Sequence, residues 1–87
     1  MDFSIIDRAG LTQGEFAHLV AVTRTTVNMW VRGKMQPHRF IADGVADMLA
    51  TLEAAIERGD LPLAKTVSRS KRIERIVELV TTAEVQT

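Results

Sequence analysis

An all-α bundle of about five helices is the fold this sequence predicts, and two kinds of signal predict it. Apolar residues recur at three- and four-residue intervals through most of the 87 residues, the spacing that lines up one face of a helix. Capping residues and glycines fall between these stretches, where helices start and stop.

The first helix is expected over residues 3–8, with Phe3 and Ile6 toward the core and Gly10 as a left-handed closing residue. Thr12 and Glu15 then form a capping box: the hydroxyl accepts a backbone N–H three residues on, and the carboxylate reaches back to the cap's own N–H. Phe16, Ala17 and Val20 make an apolar face, with Ala17 small where another helix must approach closely. Ala21 and Val22 supply a tight turn, and Thr23 caps a second short helix in which Val27, Trp30 and Val31 share a buried face. Its opposite face carries Arg24, Thr25, Asn28 and Met29, and it ends at Gly33, where a positive φ costs little.

Residues 34–36 read as a loop. Pro37 suits the first turn of a long helix, whose stripe Ile41, Val45, Met48, Leu49, Leu52, Ala55 and Ile56 continues to Arg58 before Gly59 and Pro62 stop it. Gly44 inside this stripe costs about 1 kcal/mol relative to alanine, so it marks either close packing or a break into two helices. Residues 60–67 form a connector, and Ser68 or Ser70 caps a last helix striped by Ile73, Ile76, Val77 and Val80, with fraying expected from Thr82. Residues 1–59 are therefore expected to form the bundle, and residues 60–87 a connector and C-terminal helix within the same compact unit.

Composition narrows the chemistry. The chain has no cysteine, which excludes a disulfide scaffold and a thiolate zinc site and suits a reducing cytoplasm. No apolar run approaches membrane-spanning length, and residues 1–7 lack the basic start of a signal peptide. His18 and His38 come with no third ligand, so no metal is expected. A glycine-rich phosphate loop and a nucleophile with an oriented base are both missing, and Asp43 and Asp47 read as one solvated helix face. No cofactor and no catalysis are expected.

Formal net charge is zero, yet the charge is polarised. Across residues 13–39, Arg24, Arg32, Lys34 and Arg39 face Glu15 alone; across residues 40–63, Asp43, Asp47, Glu53, Glu57 and Asp60 face only Arg58. The basic region coincides with the two short helices. A helix the size of the second fits the major groove of B-DNA, where Arg24 can fork onto guanine, Asn28 can bond adenine through two hydrogen bonds, and Thr25 and Met29 can pack on thymine methyls. Trp30, in register with Val27, reads as a core anchor rather than a stacking platform. His38, beside Arg39, reads as a phosphate contact.

The segment LTQGEFAHLVAVTRTTVNMWVRGKMQP resembles the helix-turn-helix of the phage repressor and Cro class. The resemblance rests on the Thr-Gln opening the first motif helix, Ala17 at the crossing, Val22 after the turn, Val27 and Trp30 as anchors, and Gly33 at the end. It implies a lambda-repressor-like bundle in which Gln13, Arg32 and Lys34 touch phosphates and Thr23, Arg24, Thr25, Asn28 and Met29 face the groove. It also implies a transcriptional repressor that binds an inverted-repeat DNA operator as a homodimer, similar in its small size to compact repressors of filamentous prophages. Ala21 departs from the pattern, because glycine is common there.

A chain this short gains stability from oligomerising. The C-terminal stripe Ile73, Ile76, Val77 and Val80 is expected at a two-fold interface, with Met48, Leu52 and Ile56 supplying the facing surface; the alternative folds this stripe onto the chain's own core. Arg69, Lys71, Arg72 and Arg75 read as a solvated helix face or as holders of flanking phosphates. Two other readings stay open: an antitoxin whose helix after Asp60 clasps a toxin, and an interaction adaptor that no longer binds DNA. A protein antagonist is a further expected partner.

Overall fold

The computed structural model describes residues 1–85, with side chains through Thr81, and contains five α-helices and no strand among them. These are α1 (Ser4–Arg8), α2 (Gln13–Val20), α3 (Arg24–Val31), α4 (Arg39–Arg58) and α5 (Arg69–Val85). The chain is all-α. The end expected to fray from Thr82 stays helical as far as Val85, and residues 86–87 lie outside the described residues.

Both short internal helices start on threonine. Glu15 N–H donates to Thr12 Oγ1 at 3.0 Å and Thr12 N–H donates to Glu15 Oε1 at 2.8 Å, a complete capping box. Thr23 Oγ1 accepts from Thr26 N–H at 3.2 Å. Each cap satisfies donors that have no partner inside the helix, worth about 1 kcal/mol apiece.

The first four helices end in the same way. After each comes a residue with positive φ, namely Gly10 (72°), Ala21 (59°), Gly33 (71°) and Gly59 (84°). The next amide then donates back five residues: Leu11 to Ile6, Val22 to Ala17, Lys34 to Met29 and Asp60 to Ala55, all at 2.9–3.0 Å. This Schellman closure satisfies otherwise orphaned carbonyls. At Gly10 even the smallest side chain is excluded, because a Cβ there would lie 2.6 Å from Pro62 Cβ.

Ala21 makes the same turn without glycine's freedom. A left-handed conformation costs an L-residue roughly 1–2 kcal/mol, while glycine returns about 0.4–1 kcal/mol to the unfolded chain as entropy. Ala21→Gly is therefore expected to raise the thermal midpoint by a few degrees, on the scale of about 4–8 °C per kcal/mol for a domain this size. A lower midpoint in a calorimetric scan would contradict the strain.

The core is built from every helix. Ile5 and Ile6 of α1, Phe16 and Ala17 of α2, Val27 and Trp30 of α3, Val45, Leu49, Leu52 and Ala55 of α4, and Ile76 and Val80 of α5 are buried together. Phe3 closes the edge by stacking on Trp30, with ring centroids 5.8 Å apart. Val31 departs from the expected face: it is exposed, because one residue past Trp30 the helix has turned it away from the core. Pro37 also differs. It is buried ahead of α4, and His38 is the cap, its Nδ1 accepting from Phe40 N–H at 3.2 Å.

Helix α4 runs unbroken through Gly44, around which a Cβ would meet nothing within 4 Å. That glycine marks neither a break nor a close approach. The stripe begins later than its pattern suggests, since Ile41 is exposed and Phe40 lies open with the Arg39 guanidinium 5.1 Å above its ring.

The largest correction concerns α5. Leu52 and Ile76 are 0% exposed and Val80 6%, so these three residues, expected at a two-fold interface, are buried inside the chain's own core. Ile76 and Val80 turn instead to the chain's own core, which Leu52 of α4 shares, and so lose their contact with water within the fold. Of the other residues expected there, Met48 and Ile56 pack partly against the core, Ile73 is half-buried and Val77 is exposed.

Candidate nucleic-acid interface

Helix α3 is held from behind and open in front. Val27 and Trp30 are 0% and 3% exposed, anchoring one side of the helix in the core. The other side leaves Arg24 and Thr25 exposed, with Asn28 and Met29 half-buried beside them. A helix anchored in this way needs no backbone ordering at the moment of contact, which limits the entropic cost of binding.

Two of the expected contact residues are joined across the helix pair. Asn28 Nδ2 donates to Gln13 Oε1 at 3.1 Å, tying the groove face of α3 to the first residue of α2. The bond orients the Asn28 amide and leaves its Oδ1 and second N–H available, the pair that an adenine edge requires. Arg24 sits near the same place, its Cδ lying 3.7 Å from where a Gly14 Cβ would stand. Gln13, Arg24 and Asn28 are thus brought together.

Thr23 is exposed, but its hydroxyl already serves as the α3 cap. The remaining basic residues are spread along the chain after α3. Arg32 and Lys34 flank the turn at Gly33, and His38 and Arg39 open α4; all four are exposed. His38 spends Nδ1 on the Phe40 amide and packs on the Phe40 ring, so only Nε2 is left to face a ligand.

Arg72, expected on a solvated helix face or at a phosphate, is instead paired inside the chain, and that pairing has no sequence signal. Arg72 of α5 grips Glu15 with two hydrogen bonds, Nε to Oε2 at 2.9 Å and Nη2 to Oε1 at 3.0 Å, and its Nη2 also donates to the Gly10 carbonyl at 2.6 Å. Glu15 therefore caps α2 and docks α5 with the same carboxylate. The Arg72 hydrogen bonds, aided by the Thr12 amide, hold the Glu15 carboxyl below its ordinary value despite partial burial.

A depressed carboxylate pKa stabilises the fold above the group's unfolded value, and that stability is lost as pH falls through the folded value. Glu15→Gln keeps the capping geometry and removes the charge. Wild type is expected to melt above Glu15→Gln at pH 7, with the gap closing as pH drops below the normal glutamate range. A gap that stays constant from pH 7 to pH 3 would contradict the ion pair's role.

Among the described residues, no group of three His, Cys, Asp or Glu side chains is placed to hold a metal, and no helix is long and apolar enough to cross a membrane. Compared with known proteins, the chain matches no family model, no curated protein and no solved structure.

Proposed function

We propose that this chain is a cytoplasmic, sequence-specific DNA-binding protein of the helix-turn-helix type, acting as a transcriptional repressor. Helix α3 enters the major groove, and occupation of a promoter operator excludes polymerase. The observation that carries this reading is the outer face of α3, where Arg24, Thr25 and Asn28 stand together on a helix anchored by Val27 and Trp30. Asn28 and Arg24 read base edges, Thr25 and Met29 pack on thymine methyls, and Arg32, Lys34, His38 and Arg39 supply charge along the backbone.

Binding as a homodimer to an inverted repeat, in the manner of a compact prophage repressor, belongs to the same proposal. A two-fold surface would draw on Ile73, Val77, Met48 and Ile56, which keep part of their area. The antitoxin reading has less support, because two apolar residues of the helix after Asp60, Ile76 and Val80, are occupied in the chain's own core.

A salt titration tests the proposal against the adaptor reading. Phosphate contacts release counterions, so duplex affinity falls steeply with ionic strength. With several such contacts, labelled duplex is expected to bind well at 50 mM salt and at least tenfold more weakly at 200 mM. The absence of any salt-sensitive duplex affinity would overturn the assignment to DNA.

A further inference from the structure

Helix α5 brings basic residues to the same end of the helix pair that presents Arg24. Arg69 and Arg72 line one cleft with Gln13, Gly14 and Arg24, so α2, α3 and α5 all contribute to its walls. Arg69 lies 45 positions from Arg24 in the chain, and only the docking of α5 puts the two on one cleft.

The charge balance of this cleft is the second observation. Its acidic wall residue, Glu15, is neutralised by the two hydrogen bonds from Arg72. Among the described residues, neither Arg24 nor Arg69 takes part in an ion pair. Two arginines with no ion-pair partner among the described residues therefore line the cleft, together with Gln13. Such a surface attracts an anion with several acceptor oxygens, which is the chemistry of a phosphate group.

We infer that this cleft seats a backbone phosphodiester of the bound duplex, with Arg69 of α5 as a further DNA contact. The inference rests on the proposed DNA binding and extends it to an element outside the helix pair. The cleft, about 920 Å³, is open to solvent, which suits a passing strand better than the enclosure that holds a small free ligand. Arg72 acts as a positioning residue: by gripping Glu15 and the Gly10 carbonyl, it sets the start of α5 against α2. Arg69 reads charge and not sequence, because its contact is to the backbone.

The test measures duplex binding by fluorescence anisotropy across a salt series for wild type, Arg69→Gln and Arg69→Lys. Losing one phosphate contact makes the log–log salt dependence shallower by about 0.9. The affinity deficit of Arg69→Gln is then about 3.5-fold larger at 50 mM than at 200 mM salt, and equal across duplex sequences. Arg69→Lys keeps the charge and is expected to retain the wild-type slope. An unchanged slope in Arg69→Gln overturns the inference while leaving the DNA-binding reading intact, whereas wild type that binds no duplex brings down both. Titration of free protein with inorganic phosphate is expected to give no saturable heat in the millimolar range. Saturable binding that Arg69→Gln removes would make the cleft a site for a free phosphate compound and overturn the assignment.

Discussion

Ile76→Asp is expected to unfold the chain rather than split a dimer into folded monomers. Ile76 is 0% exposed in a core shared with Phe16, Val27, Val45 and Leu52. Truncating such a residue to alanine costs about 2–5 kcal/mol, against a total stability of roughly 4–13 kcal/mol for a chain of this size at 0.05–0.15 kcal/mol per residue. A carboxylate adds the cost of burying a charge without a partner. Val77, the next residue, is exposed and belongs to the proposed two-fold surface, so Val77→Asp is expected to keep its helical signal while sedimenting as a monomer. Circular dichroism and sedimentation velocity on the two variants separate the possibilities. A helical, monomeric Ile76→Asp would place this residue at a surface and contradict the packing of α5.

Asn28→Ala is expected to produce the largest selective loss of DNA recognition. A well-made bidentate contact is worth about 1–3 kcal/mol of base discrimination, or roughly 5- to 150-fold in relative affinity. Two effects combine at this residue. The variant removes the amide proposed to read adenine and also releases Gln13, whose Oε1 accepts the Asn28 N–H. Preference at one base position should disappear while binding to unrelated duplexes changes little, because phosphate contacts carry most of the non-specific affinity. The measurement is a competition series with single-base operator variants. A uniform loss across all duplexes would mean that Asn28 positions the helix without reading sequence, and no loss would remove it from the interface. Arg24→Ala, in contrast, should both weaken overall affinity and relax preference, since Arg24 stands where α3 meets the cleft.

What was legible in the sequence was local. The Thr12–Glu15 box, the Thr23 cap and the turns at Gly10, Gly33 and Gly59 each act over three to five residues, so the residue types alone announce them. Ala21 shows the same logic from the other side: its neighbours demand a left-handed turn, and it takes one at φ 59° without being glycine. The inward placement of Trp30 followed from its register with Val27.

What was not legible depends on distant partners. The stripe Ile73, Ile76, Val77 and Val80 has the same periodicity whether it covers the chain's own core or a second copy, and only the space left beside Leu52 decides between them. The Arg72–Glu15 pair joins residues 57 apart, and no short-range rule connects them. Val31 fell on the wrong side because adjacent residues on a helix diverge by about 100°, so a face drawn from two strong anchors does not extend to the next residue. The His38 cap of α4 carries no signal in its residue type, because the usual capping residues are smaller.

The central claim is that the outer face of α3 reads a DNA sequence. Selection of duplexes from a random pool by wild type, with Asn28→Ala run in parallel, tests it most directly. The account predicts that wild type enriches two inverted half-sites, separated by one helical turn of roughly 34 Å or a multiple of it, and that Asn28→Ala loses one specified position in each. A wild-type pool that stays indistinguishable from the input would contradict it.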